Sequence, residues 1–205
     1  ILQRGAQDGD IKDEQIKVTP ENVELTDLYP TQAEIGFGNS LDDIMTNEWN
    51  TIDLCFKTPV KLGPGGGTPL LCARIGSKIF VLDGHHRWST AFMCNRNATM
   101  MCDIMEMPSG ENEESALKIM QMAITAKAGT PPRTKDFDGQ DLMATPTETV
   151  VEYAKKNLNE EAVEKFTEHS DGSLTDAESI ATEIGEAHKV IVSMKGEFPR
   201  EIMPQ

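Results

Sequence analysis

Five consecutive residues, Asp83-Gly84-His85-His86-Arg87, bring together groups that bind and activate an anion. Arg87 carries a planar fork of N–H donors that matches two oxygens of a phosphate or carboxylate. His85 and His86 can donate to an oxyanion or move a proton near neutral pH. Asp83 can orient a histidine or ligate a divalent cation, and Gly84 lets the backbone take a positive φ close to a ligand. The competing reading is a polar turn that caps a helix, with Arg87 paired to one of the chain's many acids.

The neighbouring residues say what must position this cluster. Ile79-Phe80-Val81-Leu82 is an apolar run that suits a buried strand, and from His85 onward Trp88, Ala91 and Phe92 fall on one face of a helix. The cluster therefore sits at a strand-to-helix joint, where the N–H groups of the first helical turn and the positive dipole end favour negative charge.

Upstream, residues 70–75 read as a strand joined to 78–82 by a tight Gly76-Ser77 turn, and 60–62 as a further strand. Residues 16–18 and 23–25 alternate like two short strands around Pro20, and 28–36 reads as a loop between Pro30 and Gly36. Ser40 to Asp43 has the form of a helix start leading through Ile44, Met45 and Trp49. Downstream, 95–98 is a loop and 99–105 a core strand.

Past Pro108 the period becomes helical. Leu117, Met120 and Ile124 mark one helix, and a Gly-, Pro- and Asp-rich loop follows over 129–146. Val150, Val151 and Ala154 begin a second helix, and Val163 and Phe166 a third. Thr175 to Glu178 forms a capping box for a fourth that runs through Ile180, Ile184 and His188. The class is α+β: a flexible lead-in over 1–15, a small mixed sheet with helices over 16–107, and a helical C-terminal region over 108–205.

Composition narrows the partners. With 19 Lys and Arg against 34 Asp and Glu the net charge is −15, which argues against extended DNA binding, since phosphate-backbone affinity comes from clustered cations. Cys55, Cys72, Cys94 and Cys102 form no C-x-x-C pair and lie in apolar surroundings, as reduced core residues do. No apolar run approaches the roughly 18 residues of a membrane span, and the polar beginning is not a secretory signal. A cytoplasmic location follows as the expectation, in the host cytoplasm or the virion if the gene is viral. The chain starts at Ile1 and not at Met, so a start that is trimmed, processed or disordered upstream is expected.

The motif resembles the signature of the ParB/sulfiredoxin superfamily, in which a strand ends in a Gly-containing turn whose polar residues open a helix and bind nucleotide phosphates. Partition proteins carry Gly-Glu-Arg-Arg there and sulfiredoxins Gly-Gly-Cys-His-Arg. ADP-dependent free serine kinases carry Asp-Gly-His-His-Arg, as residues 83–87 do here. A group of ParB-like phage proteins joins Tyr-Pro-Thr-Gln to Asp-Gly-His-His-Arg-Trp-Ser, matched here by Tyr29 to Gln32 and Asp83 to Ser89. The resemblance covers roughly residues 16–107 and departs from the family in two places. His85 stands where sulfiredoxin has its reactive cysteine, and the second arginine and basic helix-turn-helix of the partition proteins are missing.

The resemblance implies a ParB/sulfiredoxin-like fold and a bound nucleotide (ATP, ADP or CTP) with Mg²⁺ carried by it. Gly84, Arg87, Asp83, Ser89, Thr31 and Gln32 would hold the nucleotide, with Asp83 as the cation ligand. His85 and His86 would act as acid or donor, and Glu34 as a base. The implied chemistry is phosphoryl transfer or phosphodiester hydrolysis, kinase-like or ParB-like nuclease, onto a small-molecule or protein acceptor. The alternative is a ParB-like module that no longer catalyses and serves as an interaction or virion-associated phage protein. For Glu34 the competing reading is a solvated loop charge. The Gly63 to Gly67 run reads as a loop or lid, Lys57 and Lys61 as exposed lysines, and His169 and His188 as having ordinary surface neighbours. The methionines from Met100 to Met107 read as core packing.

Overall fold

A computed structural model describes residues 17–63, 67–107, 112–128, 137–194 and 196–198. The lead-in over 1–15, the start of the first expected strand, the centre of the glycine run and residues 129–136 of the loop over 129–146 lie outside the described residues.

The fold is α+β. Five strands, β1 (Val18–Glu24), β2 (Leu28–Pro30), β3 (Leu70–Ile75), β4 (Lys78–Asp83) and β5 (Thr99–Glu106), form one mixed sheet in the order β1-β5-β3-β4-β2. β1 runs antiparallel to β5 and β3 antiparallel to β4, whereas β5 with β3 and β4 with β2 are parallel. The helices are α1 (Phe37–Thr46), α2 (Thr51–Cys55), α3 (His85–Cys94), α4 (Glu113–Ala128), α5 (Thr147–Asn157), α6 (Glu160–His169) and α7 (Ala177–Ser193).

Alternation along the strands sorts the sheet into two apolar faces. Leu70, Cys72, Val81, Met100, Cys102 and Ile104 point into a large core shared with α1, α3 and the C-terminal helices, where Trp88, Phe92 and Phe166 are fully buried. Ala73, Leu82 and Met105 point the other way and are covered by Ala116, Leu117 and Met120 of α4. The large core is continuous across the change of period near residue 108, since Val150, Ala154, Ile180 and Ile184 pack in the same cluster as Leu41, Ile44 and Trp88.

Several expectations are corrected here. The two short strands around Pro20 are a single strand, which Pro20 does not interrupt because β1 is an edge strand bonded to β5 alone. Leu28 to Pro30 is not loop but the opposite edge strand, with Leu28 and Pro30 buried and Tyr29 against Phe80 at a ring separation of 5.9 Å. Residues 60–62 make only an isolated bridge from Val60 to Met100. α1 begins at Phe37, three residues before the expected start, and Ser40 turns its hydroxyl back onto the Gly36 carbonyl at 2.8 Å. The cap of α7 is Asp176, which accepts from Ser179 N–H, so the capping box sits one residue later than the sequence implied. His188 is fully buried, not at the surface: Nε2 donates to the Leu142 carbonyl at 2.9 Å, and Nδ1 faces the Thr147 hydroxyl at 3.0 Å.

Candidate functional site

Gly84 makes the joint between β4 and α3. Its φ of +100° lies in the left-handed region, and a Cβ there would come within 2.4 Å of Leu70 Cδ2 and 2.8 Å of Arg87 Nη2. Only glycine lets the chain turn this sharply and brings Arg87 back over the joint. No described side chain caps α3, and the first N–H to close an intrahelical bond is that of Trp88, onto the Gly84 carbonyl at 2.9 Å. The helix is fixed from behind by Trp88, which is buried and donates its indole N–H to the Leu25 carbonyl at 3.2 Å.

The two histidines face the 31–36 loop. His85 is 3 % exposed, and its Nε2 accepts from the backbone N–H groups of Thr31 at 3.2 Å and Gln32 at 3.3 Å. His86 Nε2 likewise accepts from Gly36 N–H at 3.1 Å. An imidazole nitrogen that accepts carries no proton, so both rings hold theirs on Nδ1. The histidines thus fasten β2 and the start of α1 to the head of α3.

The same loop is braced from outside by the C-terminal half of the chain. Ile35 N–H donates to Asp141 Oδ1 at 3.0 Å, Phe37 N–H to the Gln140 carbonyl at 2.9 Å, and Leu142 N–H to the Ile35 carbonyl at 2.7 Å. On its other side, Ala33 N–H donates to the Phe198 carbonyl at 2.7 Å and Phe198 N–H to the Thr31 carbonyl at 3.0 Å.

Two cavities meet at this head of α3. The smaller, about 230 Å³, is lined by Gln32, Leu82, Asp83, Gly84, His85, His86 and Arg87. Gln32 is 4 % exposed, and its side-chain oxygen is buried with no hydrogen-bond partner among the described residues. A buried polar atom left in that state costs about 1–3 kcal/mol. Arg87 reaches from the same wall to the carbonyl of Thr68, to the Thr68 hydroxyl at 2.9 Å, and to Asp83 Oδ2 at 3.4 Å. Asp83 is exposed, so the last of these is a solvated pair worth roughly 1 kcal/mol at most.

The larger cavity, about 700 Å³, shares His86 and Arg87 with the smaller one and is lined from α1, α2, the segment between them, Leu62, Gly63 and α3. Its walls combine Leu54 and Leu62 with Asn39, Asp43, Thr51 and Thr90, and Trp49 stands at its edge. Trp49 is 76 % exposed and adopts φ +58°, flanked by Asn47 at +52° and Asn50 at +58°. Asparagine tolerates this region, but a bulky residue held there costs on the order of 1–3 kcal/mol. Asn47 anchors the turn, accepting from Ile52 N–H at 3.0 Å and donating to Glu161 Oε1 at 2.9 Å.

The structure thus gathers Gln32, Asp83, Gly84, His85, His86 and Arg87 around one small cavity. Thr31 and Ser89 belong to the surrounding frame. Thr31 is buried with its hydroxyl on the Val81 carbonyl at 2.7 Å, and Ser89 is buried between Ser40 Oγ at 2.8 Å and the His86 carbonyl at 3.0 Å. Glu34 lies in the braced loop and lines neither of these cavities. Among the described residues no group of three or more His, Cys, Asp or Glu is placed to hold a metal ion. Asp83 alone offers a carboxylate at the cavity, which fits a cation brought by a phosphate ligand better than one caged by protein. The four cysteines are free and buried, and burial together with the neighbouring Cys55 pushes the Cys94 thiol well above its ordinary range.

Sequence reasoning missed Asp43, Trp49 and Asn39. The signal for the turn was present in Asn47 and Asn50 on either side of Trp49, since asparagine is the usual non-glycine occupant of left-handed positions. No described helix is long and apolar enough to cross a membrane.

Comparison with family models and with curated proteins gives no match. Among solved structures, the chain is similar to the crystal structure of protein Atu1540 from Agrobacterium tumefaciens, at 12 % identity and a TM-score of 0.35, covering 83 % of this chain and 91 % of that one. A TM-score of that size carries no argument about fold family or activity.

Proposed function

We propose that the chain is a ParB/sulfiredoxin-like protein that binds the phosphate of a nucleotide at the head of α3. The observation that carries this reading is the nearly buried Gln32, whose side-chain oxygen has no partner among the described residues, in the wall of the cavity that also takes in Arg87 and the start of α3. An amide exchanges its oxygen and nitrogen by a half-turn, so Gln32 can offer N–H donors to a phosphate oxygen or accept from a bound water or protonated oxygen. Helix N–H groups, a guanidinium and an amide in the wall of one small cavity are the kinds of donor that a phosphate's oxygens accept from. The carboxylate of Asp83 would face a cation carried by the phosphates.

Phosphoryl transfer or phosphodiester hydrolysis would draw on the same groups. Arg87 and the helix start would stabilise charge developing on the phosphate oxygens. His86, which lines both cavities, is the histidine nearer to an acceptor bound in the larger one. The non-catalytic ParB-like reading is favoured by a specific observation: Nε2 of both histidines is already spent on backbone N–H groups.

Calorimetric titration with ADP, ATP, CTP and pyrophosphate, each with and without Mg²⁺, tests the proposal. Binding is expected, and Arg87→Ala should weaken it about 10- to 100-fold, the worth of a charge-assisted hydrogen bond, while leaving the fold intact by circular dichroism. No heat with any of these ligands would remove the phosphate site. Product formed from a bound nucleotide by the wild-type protein, and lost in Arg87→Ala, would separate the catalytic reading from the binding one.

A further inference from the structure

We propose that the larger cavity selects the nucleotide's base, with Trp49 stacking on the ring and Asp43 accepting a hydrogen bond from an exocyclic amine. This rests on the phosphate reading above and adds a specificity to it: amine-bearing bases over their carbonyl counterparts.

Three observations converge on it. First, Arg87 and His86 line both cavities, so a ligand whose phosphate lies at the head of α3 can reach past them into a space of about 700 Å³, large enough for a nucleoside. Second, Trp49 is held in a left-handed conformation at the cavity edge with its ring in water. A strained backbone that delivers a large aromatic ring to solvent gains nothing from packing, whereas an indole at the edge of a base-sized cavity is a stacking platform.

Third, Asp43 lines the same cavity as a half-buried carboxylate beside the acidic Glu48 and Asp42. Burial, and then Glu48 and Asp42, raise its pKa from its ordinary value. A group in that position is stabilised by a donor that arrives with the ligand. An ionised carboxylate accepts and does not donate, so it favours an amine and repels a carbonyl oxygen at the same place on the ring. Asn39, one helical turn before Asp43 and also on the cavity wall, can pair with the ring nitrogen beside that amine.

The test uses the whole protein and the intrinsic fluorescence of its two tryptophans. Trp88 is buried, so quenching by a base reports on Trp49. ADP and CDP should quench the emission and bind about 10- to 100-fold more tightly than IDP and UDP, in which a carbonyl replaces the amine, as expected for one hydrogen bond to a charged group. Pyrophosphate should bind by calorimetry without quenching. Asp43→Asn, whose amide can donate to a carbonyl, should abolish or reverse the ADP-over-IDP preference. Trp49→Ala should weaken ADP and CDP about tenfold through lost stacking while leaving pyrophosphate unaffected. If pyrophosphate binds but the four nucleotides bind alike and leave Trp49 unquenched, base selection is overturned and the phosphate site stands. If pyrophosphate and all four nucleotides fail to bind, both proposals fall together.

Discussion

Replacing His85 by alanine should destabilise the protein by about 2–6 kcal/mol, for a reason unconnected with proton transfer. In the native chain Nε2 of His85 is the acceptor for two buried N–H groups, those of Thr31 and Gln32. Thr31 is fully buried and Gln32 nearly so, and water can take over the role only by advancing from the small cavity that His85 and Gln32 line. Each buried donor left unpaired costs about 1–3 kcal/mol, and the void left by the imidazole adds to that. A loss of that size is a large part of the stability of an ordinary domain, about 5–15 kcal/mol, so the alanine variant sits near unfolding. His85→Gln gives the sharper measurement, because Oε1 of glutamine can stand close to where Nε2 stands and accept from the same donors. It should retain most of the stability, losing about 1–2 kcal/mol for imperfect geometry and packing. Urea unfolding gives the difference, and amide hydrogen exchange at Thr31 and Gln32 locates it: both amides should exchange faster in the alanine variant and stay protected in the glutamine one. If alanine costs less than about 0.5 kcal/mol, or if the two amides exchange equally in all three proteins, His85 is not the tether inferred from its geometry.

Further outcomes follow from the frame around the site. Gly84→Ala should abolish pyrophosphate binding and lower stability by about 2–4 kcal/mol, since a Cβ would meet Leu70 and Arg87 in a left-handed turn; wild-type affinity in a folded variant would contradict this. A Cβ on Gly196 would lie 2.4 Å from the backbone of Thr31 and Gln32, so Gly196→Ala should lift the segment at Phe198 from the loop. Faster amide exchange at Ala33, with α7 unchanged, is the expected sign of that. His188 is held neutral because burial lowers its pKa below the usual 6.5, against the opposing effect of the Leu142 carbonyl. The unfolded chain therefore binds more protons just below that pH, and the contribution of His188 is whole above about pH 6.5 and is lost as pH falls toward the lowered folded value. Urea midpoints measured across that window should drop less steeply in His188→Gln than in wild type; parallel slopes would sink the assignment.

The hairpin of β3 and β4, the strand-to-helix joint and the helical C-terminal half were all legible, because each rests on local periodicity or on a turn dipeptide. β2 was not, since three residues ending in Pro30 have no pattern of their own and become a strand only by pairing with β4 from a distance. The same limit applies inside the site. The types at 83–87 pointed to an anion site, but nothing in the spacing says that both histidine lone pairs turn toward backbone N–H groups fifty residues earlier. His188 misled for a related reason: a single histidine on a helix reads as surface until Thr147 and Leu142 arrive to satisfy both nitrogens. The brace formed by Gln140, Asp141 and Phe198 is irregular backbone, for which no sequence period exists.

The uninterrupted core bears on how the chain could be divided. Cut near residue 108, the first fragment would carry all five strands and every residue lining the small cavity, yet Leu41, Ile44 and Trp88 would lose Val150, Ala154, Ile180 and Ile184. Its 31–36 loop would also lose the partners at 140–142 and 198. Neither piece has the makings of an independent module, but each presents the apolar face that the other covers. Co-expressed, the two should reassociate by fragment complementation, with phosphate binding as the signal that the halves have met.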